Sequence, residues 1–171
     1  MAVLTIRLEG DPILRRKAKP VPAVTKRIAK LVRDMRETMY AAEGIGLAAP
    51  QVGVSERVIV VDVGEGFYAL INPVIVAADG RDIDKEGCLS IPGVTGYVER
   101  AAQIVVTGLD ERGRPTRLEA DGLFARAIQH EVDHLDGILF TDKATGLVRT
   151  DVAGVSDGQQ RATASDPERR P

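Results

Sequence analysis

The stretch QHEVDHLDG, residues 129–137, contains both histidines of this 171-residue chain. His130 and His134 stand four positions apart, and on a helix such residues share one face, about 6 Å apart along the axis. Two imidazoles placed in this way can be aimed at one metal ion. Glu131 lies about 100° further round such a helix than His130. It is poorly placed to ligate the same ion but close enough to reach a water beside it. This is the H-E-x-x-H arrangement, in which the histidines bind metal and the glutamate acts as general base. The plainer alternative is a pair of helix histidines that pack or face solvent.

A catalytic site of this kind needs a third protein ligand and an open position. Cys88, in EGCLS, is the candidate: it is the only thiol and follows a glycine at the edge of a strand-like stretch. Free cysteines are commonly small buried hydrophobes, so the residue alone does not make a ligand. As a thiolate it would push charge onto the metal and limit the acidity of a water there, leaving Glu131 to take the proton. Cys88, His130 and His134 together predict a mononuclear metal hydrolase. Thiolate and imidazole donors by themselves suit Zn2+.

These residues need elements to hold them. Residues 122–140, GLFARAIQHEVDHLDGILF, have helical periodicity through Leu123, Ala127, His130 and His134, with Gly137 as the stop. A second amphipathic helix is predicted near the N-terminus, where Ile28, Leu31, Val32, Met35 and Met39 recur among Lys and Arg. Thr25 is its expected cap and Gly44 its expected end. The following IGLAAPQVGVS is too irregular for either element. RVIVVDV and YALINPVIVA are β-branched runs of strand length, and residues 97–122 suggest two strands around a turn at DERGRP. The predicted fold is α+β, with short antiparallel β-sheets framing a central metal-binding helix.

The totals exclude several classes of function. A formal net charge of −2 lacks the basic surplus of a nucleic-acid binder. No apolar run approaches the roughly 20 residues that span a bilayer. MAVLTIRLEGDP has no basic segment followed by an apolar one, so a secretory leader is not expected. One cysteine forms no internal disulfide, which fits a reducing cytoplasm. The length suggests one domain over residues 1–150. Residues 151–171 are polar and poor in large aliphatics, and a disordered tail is expected there.

Three motifs in order, GIGLAAPQ at 44–51, EGCLS at 86–90 and QHEVDHLDG at 129–137, resemble those of the peptide deformylases. GDPILRRKAKPV and IPGVTGYVER are also similar, so the likeness runs from residue 4 to about 145. It implies removal of the formyl group from N-formylmethionyl peptides emerging from bacterial ribosomes, by a cytoplasmic and monomeric enzyme. It also implies metal ligation by Cys88, His130 and His134, with Glu131 as base. Fe2+ is the implied native ion, and Zn2+, Ni2+ or Co2+ are substitutes. Gln51 and the backbone N–H of Leu89 match the groups that steady the formyl oxygen; without the family, the favoured reading of Gln51 is a loop side chain capping backbone groups. Ile45 and Gly46 match a segment that pairs main chain to main chain with the substrate. The bland alternative for that segment is a glycine-rich turn. The apolar face of LEADGLFARAIQH is a candidate wall for a methionine side chain, although most such stripes are simply core.

Arg126 departs from the family pattern, in which an aliphatic residue is common one turn before the first histidine. Two placements are open: its methylenes lie along the methionine pocket with the charge at the rim, or it pairs with Glu119 or Asp121. The competing functions are an H-E-x-x-H metalloprotease, for which no further histidine follows His134, and a scaffold with a structural metal. The latter normally uses four protein ligands, and three candidates exist here.

Overall fold

The computed structural model describes residues 2–150. The first helix, α1 (Lys26–Ala41), begins where the Thr25 hydroxyl accepts the Ile28 N–H at 3.4 Å. The periodic residues Ile28, Leu31, Val32, Met35 and Met39 are all buried. Its end differs from the expectation. Glu43, not Gly44, takes the left-handed conformation (φ 57°), its N–H bonding Tyr40 O while Gly44 N–H bonds Met39 O. Gly44 serves another need: a Cβ there would lie 2.7 Å from the side chain of Leu89.

Among the described residues, eight strands make two antiparallel sheets. Strands β1 (Gly46–Ala48), β2 (Val58–Val61), β3 (Tyr68–Asp79), β6 (Gln103–Leu109) and β7 (Pro115–Asp121) form one, in that order. Strands β4 (Asp82–Cys88), β5 (Ile91–Arg100) and β8 (Thr145–Arg149) form the other, in that order. With helix α2 (Gly122–Leu135) the architecture is α+β. The GLAAPQV segment, read as irregular, is in fact an edge strand followed by a 3-10 turn over Ala49–Val52. Its three strand residues pair with Val61, Val60 and Ile59. Strand β8 was not anticipated, because TGLVR is exposed along its length and carries no alternating pattern.

Strand β2 explains how both helices are fixed. All four residues are buried: Val58 and Val60 join the α1 core, while Ile59 and Val61 join the α2 core with Ala125, Ile128 and Leu135. Alternation sends successive side chains to opposite faces of the strand, and burying each such aliphatic contributes about 1.5–3 kcal/mol. Helix α2 ends as expected at Gly137 (φ 75°), with Gly137 N–H to His134 O and Ile138 N–H to Asp133 O. Its buried face is unusual in also holding Arg126, His130, Glu131 and His134. Buried polar groups require partners, and the β4–β5 hairpin supplies them for Arg126, His130 and the Nε2 of His134. The tail expectation for residues 151–171 falls outside the described residues.

Candidate metal centre and active site

Cys88 ends strand β4, and the two-residue turn Leu89–Ser90 leads to its strand partner Ile91. A register irregularity between Gly87 and Cys88 interrupts the ladder, a device that re-aims a side chain. The thiol turns toward α2, with Sγ 3.3 Å from His134 Nε2. Donor atoms of Cys88, His130 and His134 all lie within 4.8 Å of one another. The two imidazoles are 5.0 Å apart between centroids and inclined at 65°. His130 is backed by the Phe140 ring at 6.0 Å. The structure thus brings together the three residues whose sequence separation the motif reading had to bridge.

Glu86, whose segment was quoted but whose role went unassigned, is the centre of a buried polar layer. One carboxylate oxygen meets His130 Nδ1 at 2.9 Å and accepts from Arg100 Nη2 at 2.9 Å. The other accepts from Arg100 Nε at 2.8 Å and Arg126 Nη1 at 2.7 Å. Arg100 also reaches Asp133 at 2.7 Å. A signal for Glu86 existed: a metal-binding histidine usually gives its second ring nitrogen to a carboxylate, and Glu86 is two strand positions from Cys88. Burial alone would raise the Glu86 pKa, but hydrogen bonds from Arg100 and His130 outweigh it and hold the group well below the usual carboxylate range. The rim placement of Arg126 is corrected, while the expected ion pair forms, with carboxylates other than the two named. The side chain is 4% exposed and is bound to Glu86 and Asp82, not at a rim and not to Glu119 or Asp121. Lying over the hairpin, α2 presents this position to the carboxylate of Glu86, and a guanidinium sheltered there needs that partner.

The donor set fits a divalent transition metal. Burial, then the charges of His130 and Arg100, push His134 well below its ordinary pKa, so it is neutral and able to ligate. Its Nδ1 is buried without a hydrogen-bond partner among the described residues. For His130, burial lowers the pKa, but the hydrogen bonds to Cys88 and Glu86 prevail and raise it to about 10. The acidic groups responsible, Glu86 and Glu131, would favour a cation beside the imidazole, which ligates in its neutral form. Soft thiolate with two imidazoles is a donor chemistry suited to Zn2+ or Fe2+ more than to Mg2+ or Ca2+.

Glu131 is buried, its Oε1 has no hydrogen-bond partner among the described residues, and desolvation pushes its pKa up to about 7. A base poised near neutrality is effective in proton transfer. Gly46 lies against it: a Cβ there would stand 2.6 Å from Glu131 Oε2. Gly46→Ala is accordingly expected to displace the carboxylate and lower kcat at least about 10-fold, an effect of the size that small misplacement of a catalytic group produces. Steady-state kinetics with a melting curve checks this; unchanged kcat in a folded variant would show that Glu131 tolerates the shift.

Gln51 is 1% exposed. Its Oε1 accepts the Ala48 N–H at 2.9 Å, which orients the amide so that Nε2 faces Ser90 Oγ at 3.0 Å and Cys88 Sγ at 3.6 Å. The capping role and a position at the centre are both realised. The Ile45 carbonyl accepts from Asp62 N–H at 2.9 Å, so strand alternation turns the main-chain groups of Gly46 toward the open edge of β1. A cleft of about 420 Å³ is lined by Cys88, His130 and Glu131, with His134 buried behind them, and is walled by Leu89, Ile91, Val94, Leu123 and Ala127. A larger hollow of about 650 Å³ beside β3, β6 and β7 is lined by Glu65, Asp79, Glu119 and Asp121 and does not touch the centre. The convergence of nucleophile-activating groups is in the smaller one.

Comparison with known proteins agrees with this geometry. The model of the polypeptide deformylase family matches residues 3–150. A peptide deformylase of Halothermothrix orenii is 59% identical over 149 residues, covering 86% of this chain and 97% of that protein. One from Pelotomaculum thermopropionicum is 58% identical over 147 residues, covering 86% and 95%. The crystal structure of the Thermotoga maritima peptide deformylase superposes with a TM-score of 0.83 at 44% identity, covering 85% of this chain and 99% of that one. A Synechococcus elongatus peptide deformylase, solved in complex with actinonin, gives 0.81 at 49% identity, covering 84% and 79%.

Proposed function

The chain belongs to the polypeptide deformylase family, and on that premise we propose which of its residues carry the reaction. The enzyme removes the N-formyl group from the N-terminal formylmethionine of nascent proteins, releasing formate, and it is metal-dependent. The metalloprotease and scaffold alternatives lose their ground. Cys88, His130 and His134 hold the ion. When bound, the ion supplies Lewis-acid activation of water and of the formyl carbonyl.

Glu131 accepts the proton of the attacking water on its buried carboxylate as the oxygen bonds to the formyl carbon. The oxyanion that develops is met by Gln51 Nε2 and the backbone N–H of Leu89; the Ala48 N–H bond to Gln51 Oε1 supports this reading by orienting the amide in advance. Glu131 then returns the proton to the departing amine as the C–N bond breaks. Gly46 and the adjoining Ile45 take the substrate main chain along the open edge of β1, a mode indifferent to most side chains. The apolar cleft receives the methionine. Residues 1–150 constitute the catalytic domain, working as a cytoplasmic monomer on chains at the ribosome. No helix among the described residues is long and apolar enough to cross a membrane.

Fe2+ is the native ion in this reading, with Zn2+, Ni2+ or Co2+ as substitutes; family resemblance, not donor type, selects it. The observation that carries the reading is Glu131, with its Oε1 unpartnered among the described residues, lining one cleft with Cys88 and His130 of the three-donor cluster. The test is formate release from formyl-Met-Ala by anaerobically purified protein, with elemental analysis of the same sample. One equivalent of iron and no cleavage of internal peptide bonds are expected. No stoichiometric metal would overturn the ligand assignment.

A further inference from the structure

The ligands assigned above come from two bodies of the fold. Cys88 rides on the β4–β5 hairpin of the three-stranded sheet, whereas His130 and His134 ride on α2, whose apolar face packs on the five-stranded sheet. The recorded joint between hairpin and helix is polar, and Arg126 makes much of it. Its Nη1 donates to Glu86 Oε2 at 2.7 Å and to the Val98 carbonyl at 2.9 Å. Its Nη2 donates to the Asp82 carbonyl at 2.8 Å and to Asp82 Oδ2 at 3.2 Å. One side chain on the helix therefore holds the start of β4, its last turn before Cys88, and the facing strand β5.

Resting on the site assigned above, we infer that Arg126 is a positioning residue for the metal centre. It fastens the cysteine-bearing hairpin to the histidine-bearing helix and completes the set of donors around Glu86. The hydrogen-bond count gives the reason. A carboxylate has about four acceptor positions, and Glu86 fills them with Arg100 twice, Arg126 once and His130 once. Arg100 grips both oxygens, and Arg126 adds a second donor to Oε2 from the helix that carries His130; the two together fix the carboxylate whose Oε1 faces His130. Lysine at this position keeps the charge but is a point donor without the planar fork. It can serve Glu86 and cannot also span Val98 and Asp82.

The experiment uses Co2+-loaded protein and follows the visible spectrum and the rate of Co2+ release to an excess of chelator. Wild type is expected to bind one Co2+ with a sulfur-to-cobalt charge-transfer band that Cys88→Ser abolishes; failure at this stage refutes the ligand assignment and leaves Arg126 aside. Given that band, Arg126→Met is expected to release Co2+ about 10- to 100-fold faster, the range typical of losing a group that orients a metal ligand, with shifted ligand-field bands. Arg126→Lys, which retains a buried cation for Glu86, is expected to remain folded and still release Co2+ several-fold faster than wild type. Release from Arg126→Lys at the wild-type rate with wild-type bands overturns the inference, whether or not Arg126→Met folds.

Discussion

Glu131→Gln is expected to retain one equivalent of metal and to lose about 10²- to 10⁴-fold in kcat, the usual contribution of a positioned acid–base group. Glutamine preserves the shape that fits beneath Gly46, where the carboxylate lies against the β1 backbone. It cannot accept the proton of the attacking water. The fall should appear in kcat and kcat/KM together, because the lost interaction belongs to the transition state and not to substrate binding. The buried setting sharpens the contrast, since the neighbouring carboxylate of Glu86 is saturated by Arg100, Arg126 and His130. Full turnover in metal-replete Glu131→Gln would assign the base elsewhere.

Cys88→Ser should fail one step earlier, at the metal. An alcohol is not deprotonated at neutral pH as a ligating thiol is, so the centre would fall from three donors to two. Substitutions of groups that merely orient a ligand cost about 10- to 100-fold in affinity; losing a direct ligand should exceed that. Dialysed Cys88→Ser is expected to contain little metal and to release no measurable formate, while melting near the wild-type temperature. Cys88 is only partly buried at the end of β4, so the hairpin does not depend on it for packing. Stoichiometric metal in the variant, measured by elemental analysis, would remove the cysteine from the ligand set.

The two substitutions separate roles that the sequence could name but not weigh. The H-E-x-x-H spacing and the single cysteine were legible because ligand type and helical period are local properties. Glu86 was not read as a partner of His130, although it sits inside a quoted motif. Its function depends on a contact across 44 residues of chain, and nothing local marks a glutamate as buried. Arg126 was misread for the same reason. A guanidinium on the metal-facing side of a helix must either reach water or find partners, and the partners, Asp82 and Glu86, lie 44 and 40 residues away.

The sequence by itself determined the two helices, their caps at Thr25 and Gly137, the β-branched strands, and the three candidate donors that the fold clusters. Each follows from periodicity, capping chemistry or ligand type within a few residues. The tertiary structure alone decided which face of β2 serves which helix, that GLA forms an edge strand, and that TGLVR pairs with β5. It also decided that one carboxylate gathers Arg100, Arg126 and His130. The physical reason is common to these cases. Whether a charge or an edge can be buried depends on the free energy of the partner that meets it. That partner is supplied by a segment brought near only when the chain has folded.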